Sequence, residues 1–219
     1  SPINDNVHGT VEYAAGGTPG TVTDFYSDAN TDDYNNLLIS GTGWRLANTL
    51  KMQTITIANG TTCSVNSATT LRAQTFTFNA SGDNKNISAT ADLTLLPYSA
   101  TGDLTVPSGI GSKFTISSPG KLYLGNASTN SIIFSASDTF EYELNFSAPV
   151  TLNQDITVHN SVTANANISG TGELIFAGTG DINFYAGTYV HSRITVNKDA
   201  GAGSLTINGN CTLSNLNIT

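Results

Sequence analysis

The chain has 219 residues, of which 38% are hydrophobic and only 11% charged, with 8 Lys and Arg against 16 Asp and Glu, a formal net charge of −8. There is enough recurring apolar material for a packed core, so the composition excludes an intrinsically disordered chain. Basic residues stand singly, from Arg45 to Lys198, without the stripe a nucleic-acid surface needs, and no apolar run reaches the length of a membrane span. Asn, Thr, Ser and Gly take the place of the missing charges. They hydrogen-bond at turns and along exposed ladders without mutual repulsion, which suits stacked β structure.

In chain order, the first stretch, residues 1–79, carries short alternating runs such as Thr54-Ile55-Thr56-Ile57 and Thr75-Phe76-Thr77-Phe78. Their period of two and their β-branched and aromatic content mark strands. Leu46 to Met52 is the only helical candidate, and Thr49 and Thr54 fit a strand equally well. The middle stretch, residues 80–148, contains the clearest alternation, Phe140-Glu141-Tyr142-Glu143-Leu144-Asn145-Phe146. As one strand it would turn four apolar side chains inward and leave Glu141 and Glu143 outside.

The last stretch, residues 149–219, repeats a short unit: Val150-Thr151-Leu152, Ile156-Thr157-Val158, Leu174-Ile175-Phe176, Ile182-Asn183-Phe184, Ile194-Thr195-Val196, Leu205-Thr206-Ile207 and Leu216-Asn217-Ile218. Two inward side chains followed by Asn or Gly fit one side of a solenoid rung with its corner. The expected fold is therefore all-β, an elongated β-solenoid of parallel β-helix type. A β-sandwich, which also spaces short strands this way, is the alternative. The three stretches are compatible with one continuous domain.

Gly9-Thr10-Val11-Glu12-Tyr13, Tyr34-Asn35-Asn36-Leu37-Leu38-Ile39-Ser40-Gly41-Thr42-Gly43 and Leu50 to Ile57 resemble the repeat units of large β-solenoid surface proteins of the Bacteroidetes type. Ile168 to Leu174 and the residues on to Thr219 resemble the same adhesin-like repeats. The likeness covers about half the chain. Gly43-Trp44-Arg45 departs from it, and the middle stretch matches less well. The resemblance implies an adhesive or filamentous role at the cell surface and supplies no catalytic residues.

Candidate sites are few. Asp28, Asn30 and Asp32 have the alternate spacing of a calcium loop, whose oxygens converge on one hard cation. Asp33 stands where such a loop wants Gly, and Ile39 where it wants a bidentate Glu; the plain alternative is an acidic, solvated loop. Trp44, with Tyr34 and Tyr13, forms a candidate glycan contact, against the plainer reading of core aromatics. Glu141 and Glu143 could act as paired carboxylates, or be the wet side of an amphipathic strand. Arg45, Arg72 and Arg193 have no carboxylate pair next to them in sequence. His8, His159 and His191 are isolated and read as turn or surface residues. No Gly-x-Ser-x-Gly elbow is present. The Asn-x-Ser/Thr sequons, Asn86 among them, are weak signals in so Asn-rich a chain.

Cys63 and Cys211 lack metal-ligand spacing. In a regular solenoid, strand stacking would hold them on the order of 35 Å apart, too far for a bridge within the chain. They read either as buried apolar thiols or as an intersubunit disulfide.

The chain is accordingly expected to be a non-enzymatic structural or adhesive module of an extracellular layer or filament, without a cofactor unless calcium binds. Its strand-like end, Cys211 to Thr219, is expected to pair with another subunit or with a continuation of the same protein. The alternatives are a carbohydrate-binding or carbohydrate-cleaving β-helix with a surface glycan as partner and, as a minor reading, ice binding by threonine rows.

Overall fold

The computed structural model describes residues 9–14, 20–22, 24, 32–198 and 203–219. It is a β-solenoid: parallel strands from successive turns of the chain stack in register, and one four-residue helical turn is the only helix among the described residues. The residues group into two compact units, Ser1–Ser99 with Lys113–Gly120, and Ala100–Ser112 with Lys121–Thr219.

The first unit begins with β1 (Thr10–Tyr13), β2 (Thr21–Val22), β3 (Tyr34–Ile39), β4 (Arg45–Leu46), β5 (Asn48–Ile57), β6 (Cys63–Val65), β7 (Thr69–Phe78), β8 (Ile87–Ala89) and β9 (Leu93–Pro97). The chain then makes β10 (Leu104–Val106) and the helical turn α1 (Ile110–Lys113), and adds β11 (Phe114–Ile116) to the first unit. Two parallel ladders result, β1-β3-β5-β7-β9 and β2-β4-β6-β8-β11. Leu46 to Met52 is not helical: Leu46 ends β4, and Asn48 to Met52 belong to β5.

The ten-residue strands β5 and β7 change their inward face midway. Leu50 and Met52 are buried, then Ile55 and Ile57; Leu71 and Ala73 are buried, then Phe78. Strict alternation would put only one of each pair of sets inside. Each strand therefore bends, at Gln53–Thr54 and at Gln74–Thr75, and serves two sides of its rung. Met52 pairs with Ala73 and Thr54 with Thr75, so the two bends stack.

The second unit is three-sided. Its strands are β12 (Leu122–Leu124), β13 (Ile132–Phe134), β14 (Asp138–Phe140), β15 (Leu144–Phe146), β16 (Val150–Leu152), β17 (Ile156–Val158), β18 (Val162–Ala164), β19 (Ile168–Gly170), β20 (Leu174–Gly178), β21 (Ile182–Tyr185), β22 (Val190–His191), β23 (Ile194–Lys198), β24 (Leu205–Asn208), β25 (Thr212–Leu213) and β26 (Leu216–Ile218). They fall in turn on three ladders: β12-β15-β18-β21-β24, then β10-β13-β16-β19-β22-β25, then β14-β17-β20-β23-β26.

In the middle rungs the registers Leu144↔Val162, Val150↔Ile168 and Ile156↔Leu174 each step by 18 residues, three sides of six. Six is even, so the in-out alternation passes through the corners unbroken. Phe140, Tyr142, Leu144, Phe146, Ala148, Val150 and Leu152 are all buried. This corrects the single strand expected for Phe140 to Phe146. The inward side chains are as expected, but Glu141-Tyr142-Glu143 forms a corner between β14 and β15, and Tyr142 still points in. Its hydroxyl donates to the Ile110 carbonyl at 3.1 Å, and burial raises its phenol pKa.

The core of this unit is built on stacked aromatics. Phe134 packs edge-on against Phe140 and Phe146 with ring centroids 6.2 and 5.9 Å apart, and Phe176 lies 5.1 Å from Phe184. Burying each such ring is worth roughly 1.5–3 kcal/mol.

Candidate functional site

The expected aromatic group does assemble, in the first unit, where rung stacking brings three distant residues together. Tyr13 lies 4.9 Å from Trp44 and 6.2 Å from Tyr34, both edge-to-face, and the Tyr13 and Tyr34 hydroxyls are 2.9 Å apart. Tyr34 is only 1% exposed. Burial, then the Tyr13 hydroxyl beside it, pushes its phenol pKa well up. Tyr34 therefore offers no ring face to a sugar. Trp44 is half-buried and closed on one side by Tyr13.

Of the calcium candidates, Asp28 and Asn30 lie outside the described residues. Asp32 is engaged by other groups. Its carboxylate meets Lys51 Nζ at 3.1 Å and accepts from the Tyr98 hydroxyl at 2.8 Å and from Gln53 Nε2 at 3.3 Å. Lys51 also sits 4.7 Å from the centroid of the Tyr98 ring. Beside it, Asp33 accepts the Lys51 backbone N–H at 2.9 Å, and Lys51 stands next to Arg72 in the ladder. The group clips residues 32–33 and Tyr98 onto β5 through charge-assisted bonds. Among the described residues no set of three His, Cys, Asp or Glu side chains could share a metal.

Glu141 and Glu143 do not act as a pair. At their corner Glu141 meets His159 Nδ1 at 2.8 Å, while Glu143 meets Lys121 at 2.8 Å. Arg193 finds a carboxylate that sequence distance had hidden: Glu173, one rung back, accepts from its guanidinium at 3.1 Å and from Thr195 Oγ1 at 2.6 Å.

His8 lies outside the described residues, and His159 is the half-buried partner of Glu141. His191 corrects the expectation of a surface role. It is fully buried on β22, 5.1 Å from the Phe184 ring, with Nε2 donating to the Ala186 carbonyl at 2.8 Å and no hydrogen-bond partner at Nδ1. Burial lowers its pKa, and the Ala186 bond offsets part of that.

Both cysteines are free. Cys63 points inward on β6 beside Ile87, is 0% exposed, and burial pushes its thiol up to about 12. A buried, protonated thiol neither reaches another chain nor attacks a disulfide. Cys211, by contrast, is half-buried.

The second unit carries a shallow groove of about 450 Å³ lined by Ser112, Ser137, Asp138, Thr139, Asp155, Thr157 and Ile175. Its carboxylates hold backbone. Asp138 accepts from Gly111 N at 3.0 Å and Thr139 N at 2.9 Å, and Asp155 from Glu173 N at 2.9 Å. The threonine rows are short. Thr54 and Thr56 stack on Thr75 and Thr77, but the neighbouring strand β3 continues the columns with Asn36 and Leu38.

The last described rung exposes core side chains. β24, β25 and β26 each pair on one side only, with β21, β22 and β23. Leu216 and Ile218 continue the core columns of Ile194 and Val196 yet are 45% and 73% exposed. The other exposed apolar group among the described residues is Tyr185, Tyr189 and Val190, which sequence reasoning missed. Comparison of the chain with protein-family profiles, curated proteins and solved structures gives no match in any of the three.

Proposed function

We propose that this chain is a structural or adhesive module of an extracellular surface layer or filament, which assembles through open β edges. The observation that supports it is the rung β24–β26, whose unpaired strand edges adjoin the exposed core side chains Leu216 and Ile218. Such an edge is a template for another strand, and the apolar columns beside it reward one that brings matching side chains. The next rung is supplied by a second copy or by more of the same polypeptide.

The module is non-catalytic in this reading. Glu141, Glu143, Asp138 and Asp155 are each occupied by a cation, an imidazole or backbone amides. The low charge and abundant Asn, Thr, Ser and Gly favour long-lived stacking in the open. Negative-stain microscopy of the purified chain over a hundredfold concentration range tests the proposal. End-to-end rods or fibres that lengthen with concentration are expected; dispersed single particles throughout would contradict it.

A further inference from the structure

Apart from the open rung, the large exposed apolar side chains among the described residues gather at one corner of the second unit: Tyr185 at 48%, Tyr189 at 38% and Val190 at 47%. We propose that this corner and the β18-β21-β24 face beside it bind a neutral polysaccharide, with Tyr185 and Tyr189 as stacking faces. The site does not rest on end-to-end assembly.

The backbone sets where both side chains point. Ile182 and Phe184 point into the core, so alternation along β21 turns Tyr185 outward. Tyr189 is set by the turn before it. Gly187 has φ +60°, and a Cβ there would lie 2.9 Å from the Tyr189 ring, so the ring rests directly on the turn. Gly209 of the next rung has no Cβ for a parallel reason, since one would meet the Gly187 carbonyl oxygen at 2.4 Å. The corners thus stack closely and hold Tyr189 in place before any ligand arrives. Preorganised rings lose little freedom on binding.

The chemistry around the rings selects the ligand. Tyr185 is flanked in register by Thr163 and Asn208. Asn208 Nδ2 donates to Asn183 Oδ1 at 3.3 Å, and Asn165 Nδ2 to Asn145 Oδ1 at 3.0 Å. Each of these amides keeps further donor or acceptor capacity for a hydroxyl-rich partner. The stacked segments 161–172, 182–190 and 203–219 contain no Asp, Glu, Lys or Arg. A charged polymer finds no counter-charge there, whereas sugar C–H faces and hydroxyls match tyrosine rings and amides.

Affinity electrophoresis in native gels containing dextran, hydroxyethyl cellulose or galactomannan, with hyaluronate as the charged comparator, tests the site. Retardation by at least one neutral polymer and not by hyaluronate is expected. Tyr185→Ala and Tyr189→Ala should each weaken it roughly fivefold or more, and Tyr185→Phe should leave it nearly intact. Tyr123→Ala, on the same outward ladder position three strands away from Tyr185, should bind as the parent does, and all variants should keep the parent's thermal midpoint. No retardation by any neutral polymer, or equal retardation of the parent and both alanine variants, would overturn the proposal. So would a change in oligomeric state on Tyr185→Ala with no change in retardation, because the corner would then be a protein contact.

Discussion

Ile194 and Leu216 are register partners on consecutive rungs, and Ile194 is 0% exposed while Leu216 is 45% exposed. The side chains are alike and the ladder position is the same. What differs is that Ile194 has a rung on either side and Leu216 has one. The same step, from half-buried Val196 to Ile218 at 73%, runs along the adjacent column. A solenoid core is continuous only as far as the next rung, so each unit buries its apolar face by borrowing a neighbour.

Phe146 shows what a rung loses when that continuity fails internally. It is 0% exposed and packs on Phe134. Phe146→Ala should cost about 3–5 kcal/mol in denaturant unfolding. Glu141→Ala, at the exposed corner, should change stability by less than about 0.5 kcal/mol. Equal effects would mean that the inward and outward registers are wrong.

Asn86 holds a turn of the first unit from inside. It is 0% exposed, its Nδ2 donates to the Ala58 and Thr61 carbonyls at 3.0 and 3.1 Å, and its Oδ1 accepts from Ala80 N at 2.7 Å. Asn86→Ala should destabilise by about 1–3 kcal/mol because it strands buried backbone groups. The Asn86 sequon should stay unglycosylated in folded material, which peptide mass mapping after secretion from a glycosylating host reads directly.

His191 makes the second unit sensitive to acid. Its folded pKa lies below the ordinary 6.5, first because of burial. The groups against it are Phe184, the Ala186 carbonyl and its ladder partners Ile168 and Leu213, none of which titrates. The unfolded chain therefore binds this proton more readily. The stability linked to neutral His191 is fully present above the unfolded pKa and is lost as pH falls from about 6.5 toward the lower folded value, with a slope of at most about 1.4 kcal/mol per pH unit. Thermal melts of the parent and His191→Leu between pH 7.5 and 5 should converge as pH falls. Parallel curves would show that His191 titrates alike folded and unfolded.

The two thiols should behave differently. With Cys63 fully buried and its pKa at about 12, and Cys211 half-buried, a thiol-specific chromophore should label Cys211 first in the native protein and Cys63 only on unfolding. Non-reducing gels should show a monomer band. Ladders that collapse on reduction would restore the intersubunit bridge.

Alternation made the strands and the inward residues legible in the sequence. The corner at Glu141 to Glu143 was not legible, because an even number of residues per side carries the same alternation through strand and corner alike. Conversely, the bend at Gln53–Thr54 lies inside one continuous strand and shows only as a change of parity. The charged clip of Asp32, Lys51 and Tyr98 and the pair Glu173–Arg193 join residues from different turns of the chain. Register steps vary from 18 for Asn36↔Thr54 to 28 for Leu104↔Ile132, so these neighbours cannot be counted off from sequence. His191 and Tyr185 follow the local strand pattern, yet what distinguishes them is packing: one sits in the core beside Phe184, the other turns outward and stays 48% exposed.

Sedimentation velocity of the parent chain and of Ile218→Lys, over a hundredfold range of concentration, tests the open rung most directly. The lysine places a charge at the 73% exposed end of the Val196 column. The parent should shift from monomer to larger species as concentration rises, and Ile218→Lys should stay monomeric with an unchanged thermal midpoint. A parent that remains monomeric throughout, or a lysine variant that associates equally, would contradict assembly through β24–β26.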